Sequence, residues 1–139
     1  MKAARVISIG ALLFLAVSSC IGAIPLIVDP SGGILKMPTT FLDHSPFHTF
    51  LIPGLILLFA NGILGFAITI AVILKRKDHG LWVVFQGCVL FGWITIEVFM
   101  IRVVIWAHFA YWALAVVLIG AGLGIRQGER MRRKVLLPF

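Results

Sequence analysis

The feature that most constrains this chain is a succession of apolar stretches, each longer than an ordinary core helix and almost free of charge, at about residues 5–28, 50–74, 81–101 and 107–125. A helix rises ~1.5 Å per residue, so ~20 apolar residues cross a hydrocarbon core of ~30 Å. Inside that core every backbone N–H and C=O must be bonded within the protein, which leaves helices or a closed barrel. Barrel strands alternate apolar and polar residues, whereas these runs are continuous. The expected fold class is therefore all-α, an integral membrane four-helix bundle. Its 139 residues leave no room for a separate soluble domain. With 61% of residues hydrophobic and 12% charged, the chain suits lipid as a solvent better than water.

Charge supplies the orientation. The formal net charge is +7, which in a soluble protein would raise the question of nucleic acid. Here the basic residues sit at the ends of apolar runs, so no nucleic-acid partner is expected. Lys2, Arg5, Lys75, Arg76, Lys77, Arg126, Arg130, Arg132, Arg133 and Lys134 fall on one side, and only Lys36 and Arg102 on the other. The positive-inside rule places the larger set, the N-terminus and the basic tail 126–139 in the cytoplasm. A bacterial inner membrane is the expected location, with the lipid bilayer itself as the first partner. The turn Lys75–Gly80 separates spans two and three cleanly, whereas only Arg102 and His108 punctuate the break between spans three and four.

The first span has a competing reading. Lys2 and Arg5, an apolar stretch and Val17-Ser18-Ser19-Cys20 resemble a bacterial lipoprotein signal in which Cys20 would carry the lipid. The apolar run continues through Ile21, Ile24, Leu26, Ile27 and Val28, which favours a retained span. The outer linker 29–49 holds Pro30, Gly32, Gly33, Pro38 and Pro46, which break helices. It also holds Ile34, Leu35, Met37, Phe41, Leu42 and Phe47, which should fold it onto the helix ends. The linker reads first as an ordered cover over the bundle and second as the wall of a ligand site.

Glu97 is the leading candidate for function. A charged side chain at the centre of a membrane helix costs about 2.5–3.5 kcal/mol, so Glu97 must face the bundle, pair with a cation or take a proton. Gln86, Trp93 and Glu97 share a helix face with Leu90 and Met100, and that face should point inward. Glu97 then reads as a proton or ligand site, or as a hydrogen-bonded carboxyl that fixes packing. Arg102 lies five residues on, about 140° around the helix, and is expected at the outer interface or against another helix. His44, His48 and His108 also lie toward the outer side and are candidate partners of Glu97. Asp29 and Asp43 complete the outer-loop candidates. Pro46 separates His44 from His48 and argues against a helical metal site, so no metal and no cofactor is expected.

Asn61 forms a small, polar stripe with Gly54, Gly65 and Thr69, a pattern that lets helices approach and bonds them across the interface. Gly120 and Gly124 make a GxxxG, and Ser18 and Gly22 have the same spacing. These motifs support packing and allow a homo-oligomer or a membrane-protein partner through Gly120 and Gly124. Trp82 and Trp106 fit interfacial belts, while Trp93 sits deeper. Cys20 and Cys88 differ in depth by far more than the ~7 Å that a disulfide bridges. There is no CxxC, P-loop, dinucleotide fingerprint, HExxH or GxSxG elbow.

Asp29-Pro30-Ser31-Gly32, Ser45-Pro46-Phe47 and Leu51-Ile52-Pro53-Gly54 resemble the motif order DPSG, [ST]PF, LIPG of a loose group of small, uncharacterised bacterial four-span membrane proteins. Trp93-Ile94-Thr95-Ile96-Glu97 is similar to a Trp-x-x-x-Gln element in that group's third span. The resemblance runs from Asp29 to Glu97 and implies bacterial origin and topology, with no activity attached. The amide where this chain has Glu97 counts against an obligatory proton-carrying carboxylate. The expected role is that of an accessory or structural subunit binding a membrane component or lipid, rather than an enzyme. The alternatives are a small proton-coupled transporter using Glu97, and an enzyme acting on lipid or quinone at the outer interface.

Overall fold

The computed structural model describes residues 2–34, 43, 45–102 and 104–136, without the side chains of residues 2, 101 and 132–136. His44 and most of the linker between residues 35 and 42 lie outside the described residues. Helices dominate, in the order α1 (Lys2–Val28), α2 (Leu51–Ile73), α3 (His79–Ile101) and α4 (Trp106–Leu136). All four are long and apolar enough to cross a membrane, which makes this a multi-pass membrane protein by length and composition. Large side chains such as Phe99 and Trp106 are 73% and 80% exposed, an exterior that suits contact with lipid rather than water.

The spans follow the apolar runs to within a few residues, except at the chain's end. There α4 continues through Arg126, Arg130 and the basic tail as far as Leu136. Arg, Gln, Glu, Met and Lys are all good helix formers, so losing the apolar face does not end the helix.

The helices run alternately up and down. Ala4 of α1 packs beside Gly124 of α4, and Gly80 of α3 beside Gly122, so both termini and the α2–α3 turn share one end, the termini end. At the opposite end the residues flanking the linker meet, with the Phe50 N–H donating to the Pro30 carbonyl at 2.8 Å and Leu26 packing with Phe50 and Phe47. The Asp29 carboxylate accepts the Ser31 N–H at 3.2 Å and the Ser31 hydroxyl at 2.6 Å, and Gly32 takes a positive φ of 80°. Asp29 is thus a turn-forming residue. Pro53 falls in the first turn of α2, where a missing N–H costs little.

Glycine decides how closely the helices approach. A Cβ on Gly87 would stand 2.9 Å from the Ala115 carbonyl, and one on Gly122 2.7 Å from the Gly80 carbonyl. The antiparallel α3–α4 pair is therefore seated on Gly80 and Gly87 facing Gly122 and Ala115, each pair seven residues apart. Gly54 and Gly65 admit Leu26 and Ala16 of α1, as the stripe on the second span leads one to expect, and Gly62 admits Cys20. Of the GxxxG pair, Gly120 has open space beside it and Gly124 meets Ala4.

The reversal between α3 and α4 uses neither Gly nor Pro. Arg102 adopts φ 61° and its N–H donates to the Val98 carbonyl at 2.7 Å, an αL stop. Trp106, four residues on, begins the next helix, and the Ile105 N–H just before it donates to His108 Nδ1 at 3.1 Å.

Candidate functional site

Toward the linker end, beyond the glycine-seated part of the bundle, the inward positions of α3 and α4 carry large side chains and a cavity of about 190 Å³ opens. Leu90, Trp93, Ile94 and Glu97 of α3 line one side, and Ala107, His108 and Tyr111 of α4 another, with Ile105 beside them. Leu15, Ser18, Ser19 and Gly22 of α1 and Leu57 of α2 complete the wall. The lining is mostly apolar with a few polar groups, the composition of small-molecule sites. At the ~30 Å³ that a water occupies in the liquid, the space corresponds to about six waters. It suits the polar end of an amphiphile better than a drug-sized molecule.

The electrostatics of the cavity are one-sided. Glu97 makes no hydrogen bond or ion pair with a described residue. Arg102 is exposed and does not line the cavity. His108 is only 6% exposed, and its Nδ1 accepts a backbone N–H. That bond requires an unprotonated Nδ1 and so selects the neutral tautomer with its proton on Nε2. His108 therefore brings a hydrogen-bond donor rather than a charge, held at the third position of α4 in the way capping boxes hold Glu or Gln. The Ser18 hydroxyl donates to the Leu15 carbonyl at 3.1 Å, which leaves its oxygen able to accept.

Asn61 and Gln86 form a separate polar cluster, one helical turn deeper than Leu57 and Leu90. Both are fully buried, and Gln86 Nε2 donates to Asn61 Oδ1 at 3.2 Å and to the Ala60 carbonyl at 3.1 Å. The carbonyl is within reach because residues Leu58–Ile63 form a widened, π-helical stretch, in which the Leu64 N–H bonds back to Phe59. Asn61 Nδ2 and Gln86 Oε1 are buried without partners. The pair joins α2 to α3, the structural role expected of Asn61, and it does not line the cavity.

Of the other candidates, Asp43 and His48 are exposed, and neither they nor Asp29 line the cavity. His44 lies outside the described residues. Among the described residues no group of three or more His, Cys, Asp or Glu could hold a metal. Cys20 and Cys88 are both free thiols.

Three features escaped sequence reasoning. Ser19 and Tyr111 line the cavity, though neither residue type at its position signals a site. At the termini end His79 is 3% exposed, with Nδ1 2.7 Å from the Arg76 carbonyl and 3.2 Å from Glu129 Oε1. Glu129 thereby ties the helical basic tail to the start of α3. The chain matches no protein-family model, no curated protein and no solved structure, so the functional reading rests on this geometry.

Proposed function

We propose that this protein is a small accessory protein of a bacterial inner membrane that binds a lipid-soluble molecule of the surrounding bilayer in the linker half of its bundle. The observation that carries the reading is the cavity of about 190 Å³, apolar in most of its wall, with Glu97, His108, Ser18, Ser19 and Tyr111 as its polar groups. A bundle that served only as a packing scaffold would gain stability by filling that space with side chains. Orientation follows from charge. Ten of the 12 Lys and Arg fall on the helix ends and turn of the termini side, which faces the cytoplasm. The cavity then opens in the outer half of the bilayer. Among the described residues no cluster of nucleophile, base and oxyanion donors accompanies Glu97, so binding rather than turnover is the reading those residues favour.

The test uses the tryptophan that lines the cavity. A variant keeping Trp93 alone, with Phe at Trp82, Trp106 and Trp112, is placed in nanodiscs and titrated with brominated decanol. Trp93 fluorescence is expected to quench saturably. A sister variant keeping only the exposed Trp106 should quench in proportion to the probe dissolved in the bilayer. Proportional quenching in both variants would refute the site.

A further inference from the structure

Binding at the cavity, if the reading above holds, leaves open what chemistry the ligand carries, and the wall answers that. We propose that the site takes the ammonium group of a lipophilic amine, with the hydrocarbon tail lying along the membrane face of α1.

Four observations converge. Among the described residues no Lys or Arg lines the cavity, while Glu97 supplies a carboxyl without a described partner. A carboxylate in such a place needs a cation or a proton to compensate it, and a ligand ammonium supplies the first. Second, His108 is neutral while its Nδ1 accepts the Ile105 N–H, so this residue of the wall brings no positive charge to compete for that carboxyl. The same lack of cations disfavours phosphate and carboxylate head groups. Third, Trp93 and Tyr111 bring aromatic rings to the cavity, and such rings attract ammonium groups at desolvated sites.

Fourth, the cavity adjoins a path to lipid. A shallow apolar groove on α1, lined by Leu13, Phe14, Val17 and Ile21, shares Ser18 with the cavity. Phe14 of the groove and Tyr111 of the cavity stand with ring centroids 6.3 Å apart. The cavity alone is too small for a long-chain amphiphile. A head group inside and a tail outside, passing between α1 and α4 at Ser18, uses both spaces. An amine dissolved in the bilayer then reaches the site sideways, without crossing water.

The experiment compares decylamine, decanol and decanoate by calorimetric titration into the full chain in phosphatidylcholine nanodiscs, with empty discs as the partition background. Decylamine is expected to saturate one site per chain, and Glu97→Gln to weaken it at least tenfold while changing decanol less than twofold. Tyr111→Leu, which leaves the carboxyl in place, should weaken decylamine severalfold and spare decanol. Adding phosphatidylethanolamine to the discs should change nothing. A tenfold weakening there would assign the ammonium to a lipid head group and overturn the free amine. Unchanged decylamine binding in folded Glu97→Gln, or decanoate binding as tight as the amine, would overturn the ammonium while leaving the site intact. If no probe saturates, the site and its ligand class fall together.

Discussion

Gly122→Ala should separate α3 from α4 and destabilise the folded bundle by about 3 kcal/mol, the upper end of the usual overpacking cost. The added methyl would meet the Gly80 carbonyl at 2.7 Å, Val84 Cγ2 at 2.7 Å and the Val84 N at 2.8 Å. Two of those atoms are backbone, so no rotamer change relieves the contact and the helices themselves must move. Gly120→Ala is the matched control on the same helix. Nothing stands within 4 Å of its Cβ position, so the better helix propensity of Ala should leave stability unchanged or raise it by up to about 1 kcal/mol. Unfolding of both variants in mixed micelles, followed by far-ultraviolet dichroism, gives the comparison. Equal stabilities would mean that α3 and α4 do not meet at Gly80 and Gly122.

The second large effect concerns binding. Gly22 lines the cavity from α1, and a Cβ there makes only an ordinary 3.7 Å contact with Leu57 Cδ2. Gly22→Leu should therefore place its side chain in the empty space. Stability is expected to hold or rise, because the helix loses a glycine and about 24 cal/mol is recovered per Å³ of cavity filled. Decylamine and decanol affinity should both drop at least tenfold, since the space for the head group is gone. A purely structural void predicts the first change without the second. Thermal unfolding and calorimetric titration of the same preparation separate the two accounts, and unchanged affinity in a stable Gly22→Leu protein would remove the cavity from function.

Much of this architecture is legible in the residues. Hydrocarbon requires continuous apolar helices, so the four runs mark the four helices, and the helical period places Gln86, Leu90 and Met100 on a buried face of α3. The same period brings Trp93 and Glu97 to the cavity wall. What is not legible is how helices meet. The four-residue glycine spacing points to Gly120 and Gly124, while the tight α3–α4 approach uses a seven-residue spacing matched across two antiparallel helices, Gly80 and Gly87 against Ala115 and Gly122. That match becomes visible only when both helices are read together in opposite directions. The π-helical stretch around Asn61 has no Pro to announce it. His79 sits at the edge of an apolar run, and its partner Glu129 comes from a helix that outlasts its own apolar segment.

His108 shows the limit from the other side. Its position toward the linker end follows from the order of the spans, but its tautomer does not. That depends on a backbone N–H at Ile105, which is free to donate because the chain has just left one helix and is beginning another.

Photolabelling tests the central claim most directly. The protein is reconstituted in nanodiscs containing a long-chain alcohol that bears an aliphatic diazirine, irradiated with and without excess decanol, and the adducts are mapped by mass spectrometry. Adducts on Glu97 and Tyr111 that decanol suppresses are the predicted result, alongside unsuppressed labelling of outward residues such as Phe59 and Val116. Adducts confined to those outward residues would contradict a ligand site within the bundle.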